Sequence, residues 1–125
     1  PFYDGGARLS PDGKWLAYVS DESGRFEVYA TPFPGPGGKW QISTDGGWEV
    51  AWSRKGNELF YRSGPSREKM MAVDIQTQPA FSADRPRVLF EGHFDTLPWN
   101  ANYDVTADGQ RFLMVQSAEA MTAAV

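Results

Sequence analysis

A chain of 125 residues, 41% hydrophobic and 14% aromatic, is of single-domain size and can bury about two-thirds of its unfolded surface, which excludes a disordered segment. Its formal net charge of −4, with the 12 basic residues scattered, leaves no electrostatic footprint for nucleic acid, and no apolar run approaches the roughly 18 to 20 residues a membrane helix needs. With no cysteine there is no disulfide, no thiolate chemistry and no Cys-based zinc site.

The 13 Gly and 9 Pro are spread between short apolar runs, the composition of many short strands joined by turns, so the chain reads as all-β. It opens on Pro1 with neither an initiator Met nor a signal peptide, as a processed product or a piece of a longer chain is expected to do. Residues 1–6, with Phe2 and Tyr3, are a lead-in, either a loop or a brief strand lent to a neighbouring sheet. Residues 7–10 read as a first strand. Ser10, Pro11, Asp12 and Gly13 then make a tight turn, because Gly takes positive φ freely, Pro presets the early position and the Asp side chain bonds nearby N–H groups. Behind it Trp15 to Val19 is an unbroken apolar run, the pattern of a strand covered on both faces. A polar loop at 21–25 leads to a third strand at 26–31. Residues 32–39 alternate Pro and Gly and cannot enter a sheet interior, since Pro lacks the N–H, so 40–43 is the outer edge strand.

The link 44–49 carries the chain to strands at 50–53, 58–62 and 69–75. In the last of these, period-two alternation places Met71, Val73 and Ile75 on one face and leaves Met70 and Asp74 on the more exposed one. Residues 76–86 connect to a second edge strand at 87–90. A further link, 91–102, holds His93, Phe94 and Trp99 and precedes strands at 103–106 and 111–116. The Ala-rich end, 117–125, reads as a short helix or as a third strand, the strand being what a repeat would supply. Trp15, Trp40 and Trp52 fall at core positions of their strands.

The turn-and-strand unit recurs. Ser53, Arg54, Lys55 and Gly56 precede Glu58 to Tyr61, and Thr106, Ala107, Asp108 and Gly109 precede Arg111 to Met114. The turn glycines Gly13, Gly56 and Gly109 are thus spaced by 43 and then 53 residues, in the range of roughly 40 to 50 residues at which four-stranded propeller blades repeat. The fold expected is all-β, with β-propeller blades of four antiparallel strands in one segment spanning 1–125. Two blades are full, about 7–43 and about 50–90, and a partial third covers about 103–125.

Chemistry-bearing patterns are few. His93 is the single histidine, without the further ligands a metal ion needs, and no Gly-x-Ser-x-Gly elbow accompanies it for nucleophilic catalysis. The glycine clusters at 35–38 and 46–47 are not followed by Gly-Lys-Ser/Thr and read as turns rather than a phosphate loop. No catalytic, cofactor or metal residue is expected. In a propeller, the loops from outer to next inner strand and those between the second and third strands gather on one face. That face would carry Arg25, Asp45, Trp48, Glu49, His93 and Trp99, with Asp21, Glu22, Arg67 and Asp95 around them. Exposed Trp beside charges is the composition of an interface centre, and the alternative is that Trp48 and Trp99 fold inward between blades.

The run Ser-Pro-Asp-Gly-Lys-Trp-Leu-Ala-Tyr at 10–18, with Glu-Val-Tyr at 27–29, resembles the TolB-type (WD-like) propeller repeat. Pro-Phe-Pro-Gly-Pro-Gly-Gly-Lys-Trp-Gln at 32–41, Thr-Asp-Gly-Gly at 44–47, Glu-Leu-Phe-Tyr at 58–61 and Met-Met-Ala-Val-Asp at 70–74 more closely resemble repeats C-terminal to bacterial serine/threonine kinase domains. Arg54 and Lys55 depart from the usual Pro-Asp of the turn, and Ala107 from the Pro. The resemblance implies an extracytoplasmic, periplasmic setting and a propeller of six or more blades, of which this chain holds fewer than three. The function expected from that loop face is a non-catalytic propeller segment, part of a sensor or scaffold, that binds a protein, peptide or small ligand there and needs further blades, from its own copies or from a parent chain, to close. Neither nucleic acid nor membrane insertion is expected. The alternatives are the propeller part of a prolyl oligopeptidase-like hydrolase and a purely self-assembling module. The open edges predict a homo-oligomer, two copies giving about six blades, with Phe2 and Tyr3 lent to a neighbour's third blade.

Overall fold

The computed structural model describes residues 4–96 and 101–116, residues 4 and 5 by backbone alone. Three antiparallel sheets follow one another along the chain. Blade one is β1 (Asp4–Leu9), β2 (Trp15–Ser20), β3 (Glu27–Pro32) and β4 (Trp40–Gln41), paired in that order. Blade two is β5 (Trp48–Trp52), β6 (Glu58–Ser63) and β7 (Lys69–Gln76), with β8 (Ser82–Ala83) and β9 (Arg87–Glu91) sharing the outer edge of β7. Blade three is β10 (Tyr103–Val105) paired with β11 (Phe112–Met114). The architecture is all-β and propeller-like, and blade two has a fifth strand, β8, where the sequence reads only a connection.

The three turns that start this pattern have one geometry. In the first, Ser10 Oγ donates to Asp12 Oδ1 at 2.6 Å and accepts Trp15 N at 3.1 Å, while Lys14 N reaches the same carboxylate at 3.0 Å. Thr106 and Asp108 repeat it, with Gln110 N in place of Lys14 N. In the second copy Lys55 stands at the Asp position, and Asn57 Oδ1 accepts from Ser53 Oγ instead, at 3.1 Å. Gly13, Gly56 and Gly109 sit at φ 73°, 75° and 72°, where a side chain would be strained.

Inner strands begin earlier than the alternation of side chains predicts. A bulge interrupts β1 between Gly5 and Arg8, and another interrupts β5 between Trp48 and Ala51. Each takes a residue of positive φ, Gly6 at 63° and Glu49 at 56°. A bulge shifts the side-chain period by one residue and so hides the first part of the strand from a period-two reading.

The blades stack face to face. Ala17, Val19, Val28, Ala30 and Ile42 of blade one meet Val50, Leu59, Tyr61, Val73 and Ile75 of blade two, all buried. The opposite face of blade two, Phe60, Met70 and Ala72 with Phe90, receives Tyr103, Val105, Phe112 and Met114 of blade three. Phe60 and Phe90 meet the Phe112 ring edge-on at 5.0 and 5.4 Å. Met70, expected on the exposed side of its strand, is therefore buried, because blade three covers that side; Asp74 on β7 remains exposed. At the outer rim Trp15, Trp40 and Phe81 close on one another with centroids 4.5 to 5.4 Å apart, which leaves Trp40 37% exposed rather than in the core. Trp52 is half-buried and donates its indole N–H to the Arg8 carbonyl at 2.9 Å, tying β5 to β1.

Candidate binding face

The loop from blade one to blade two is held from both sides. Glu27, buried at the start of β3, accepts Ser43 Oγ at 2.5 Å, Gly46 N at 2.9 Å and Arg25 Nε at 2.8 Å. From blade two, Ser63 Oγ is 3.1 and 2.8 Å from the carbonyls of Asp45 and Gly46 and is their donor. These bonds fix the backbone of 43–46 and leave the Asp45 side chain outside, 88% exposed. Arg25 spans the mouth, donating to the Thr44 carbonyl at 2.8 Å and lying 3.6 Å from Asp45. Beneath them burial, and then the carboxylates of Glu27 and Asp45, push the Tyr61 phenol up, so it stays neutral.

Trp48 lies half-buried beside this loop, packed on the blade one–blade two core, with the Arg67 guanidinium 4.8 Å from its ring centroid. Arg25, Asp45, Trp48, Pro65 and Lys69 line a cleft of about 280 Å³ at the junction of the two blades. Three of the residues expected on the loop face thus come together. A cleft with two cationic groups, one carboxylate and an indole can hold an anionic and an apolar group side by side.

Glu49 is a correction to the sequence reading. It is fully buried, and its carboxylate lies 3.3 Å from Arg67 Nη1 and 3.6 Å from Arg62 Nη1 and accepts Asn102 N at 3.0 Å. Arg62, equally buried, donates to the carbonyls of Asp95, Phe94 and Arg67 at 2.6, 3.1 and 3.0 Å. The Tyr103 hydroxyl donates to the Glu49 carbonyl at 2.7 Å; burial, and then Glu49, hold its pKa well above the ordinary value. This network anchors the link to blade three instead of facing solvent. Its signal in the sequence is Arg62, a charge at the repeat position that blade one fills with Val19.

His93 is exposed on that link, outside the cleft, and its carbonyl accepts Gln116 Nε2 at 2.9 Å. Trp99, Phe2, Tyr3 and the end at 117–125 lie outside the described residues. Lys69 and Pro65, which the sequence did not single out, enter the cleft because β7 and the turn before it reach the loop face. Among the described residues no three His, Asp or Glu side chains gather as a metal ion requires, and no helix is long and apolar enough to cross a membrane.

Stacked four- and five-stranded antiparallel sheets with repeated turns define a β-propeller segment. The chain is similar in structure to TolB from Acinetobacter baumannii, with a TM-score of 0.51 and 16% identity, over 94% of this chain and 38% of that one. At this identity the likeness shows the fold alone, and this chain spans 38% of the length of that solved structure. No protein-family model matches the chain, and no curated protein matches it.

Proposed function

We propose that the chain is a non-catalytic propeller segment of a sensor or scaffold, binding a protein or peptide in the cleft between its first two blades, and that it needs further blades to close. The observation that carries this reading is the cleft itself. Its backbone is fixed by Glu27 and Ser63, so its charged side chains are displayed on a rigid frame, the condition under which binding costs least in ordering. Arg25 and Lys69 suit a carboxylate or other anionic group, Trp48 an apolar or aromatic neighbour, and Asp45 an amine. The sequence resemblance to repeats of bacterial extracytoplasmic sensor regions supports the same role.

The test is selection of random displayed peptides on the intact chain. Enriched peptides should carry an acidic residue close to an aromatic one, and Lys69→Ala should weaken them about tenfold or more. Asp45→Ala should change which peptides are selected. Absence of enrichment, or peptides that bind both variants as tightly as the native chain, would sink the reading.

A further inference from the structure

The second turn departs from the repeat at Arg54 and Lys55, and its geometry does not need Lys55, because Asn57 supplies the acceptor that Asp12 and Asp108 supply elsewhere. Lys55 instead lines a cavity of about 330 Å³ at the junction of the first two blades, with Pro11, Asp12, Trp15 and Thr77. The cavity lies at the other end of the strands from the cleft: Trp15 opens β2 and Thr77 follows β7, whereas Arg25 follows β2 and Lys69 opens β7. Its walls are fixed. Trp15 is wedged against Trp40 and Phe81, with ring centroids 5.4 and 4.5 Å away, and the two turns touch, a Cβ at Gly56 having only 3.4 Å to Pro11 Cδ. Both turn bonds of Asp12 go to Oδ1 and leave Oδ2 to a ligand. Among the described residues neither Asp12 nor Lys55 forms an ion pair, with each other or with a third group, and the Thr77 hydroxyl makes no hydrogen bond. One junction further on, the charges of the corresponding cavity are already matched, since Arg87 meets Glu58 at 2.8 Å and Asp74 at 3.0 Å.

We propose that this cavity binds a free α-amino acid with an apolar side chain. Asp12 takes the ammonium, Lys55 and the Thr77 hydroxyl take the carboxylate, and the side chain lies against Trp15 and Pro11. An anion and a cation that share one small cavity without pairing are complementary to a ligand that carries both charges on a single carbon. A neutral ligand would leave both charges unanswered, and a singly charged one would leave one. The volume is near the lower end of the roughly 300 to 1,000 Å³ of small-molecule sites and suits one such molecule. The site goes beyond the binding reading, as it shares no residue with the cleft.

Backbone amide chemical shifts of the intact, isotope-labelled chain, titrated at neutral pH with L-leucine and L-phenylalanine up to about 10 mM, test it. The amides of Gly13, Gly56 and Thr77 should move and saturate, while those of Gly46 and Gly64 at the cleft stay in place. N-acetyl-leucine, which lacks the ammonium, and leucinamide, which lacks the carboxylate, should each bind about tenfold or more weakly than leucine. Lys55→Ala should weaken leucine by about the same factor without lowering the thermal midpoint, because its side chain is exposed and unpaired. Asp12→Asn, measured well below its own midpoint, should do likewise. No shift with either amino acid, shifts confined to other residues, shifts that glucose produces as well, leucine binding indifferent to Lys55→Ala, or derivatives that bind as tightly as leucine would each overturn the proposal.

Discussion

Glu49 occupies a left-handed backbone conformation that costs a non-glycine residue about 1 to 2 kcal/mol, at the bulge position where blade one has Gly6. Its carboxylate over-determines that conformation, since it meets Arg62 and Arg67 and accepts Asn102 N in the interior. Blade two therefore trades backbone ease for a fixed anion that anchors the entry to blade three. Removing one partner of a buried pair leaves the other charge uncompensated, which costs about 3 to 5 kcal/mol. Glu49→Ala should lose that much in urea unfolding, and Glu49→Gly about 1 to 2 kcal/mol less, because glycine relieves the strain. If Glu49→Ala unfolds at the native urea midpoint, the network contributes nothing and the account fails.

At the scale of the element, the recurring turn shows how one geometry is reached by different side chains. Asp12 is held below its ordinary pKa of 3.8 by the Ser10 hydroxyl and then by Lys14 N, and Asp108 by the Thr106 hydroxyl and then by Gln110 N. A carboxylate whose folded pKa is depressed stabilises the fold fully above its unfolded value and loses that contribution as pH falls through the folded one. Asp12→Asn and Asp108→Asn should thus lower the thermal midpoint at pH 6, with the difference from the native chain shrinking below about pH 4. Asn57→Ala, at the turn that uses a neutral amide, should lower the midpoint by an amount that does not change with pH over that range. A deficit in the Asp12→Asn variant that persists unchanged to pH 2 would contradict the carboxylate's role. These turns were legible in the sequence because Gly and Asp act through bonds two to five residues away. The bulges at Gly6 and Glu49 were not, since Glu at positive φ has no local signature and is held there by partners as distant as Asn102.

Over the whole molecule, what the sequence leaves hidden are contacts between blades. Alternation along β7 shows two faces but not that both are covered, and Met70 reads as exposed until blade three is in place. Glu49 likewise reads as a surface acid until Arg62 is seen to lie behind it. Arg25, Asp45 and Trp48 were legible as a group because the repeat alone assigns their loops to one face. Blades stacked in this way are coupled mainly to their neighbours, so stability is a sum of blade and junction contributions, and a blade opens when its own junction is weakened. Among the described residues blade three has two strands of three residues, joined to blade two through the Phe60, Met70 and Phe90 side chains and through the bonds of Asn102 and Tyr103 to Glu49. Phe60→Ala should cost about 3 to 5 kcal/mol at that junction. In hydrogen exchange, amides of β10 and β11 should lose protection in this variant while those of β2 and β3 keep theirs, because the blade one–blade two core does not include Phe60. Uniform loss of protection across all three blades would mean that the chain unfolds as one cooperative unit, and the picture of separable blades would be wrong.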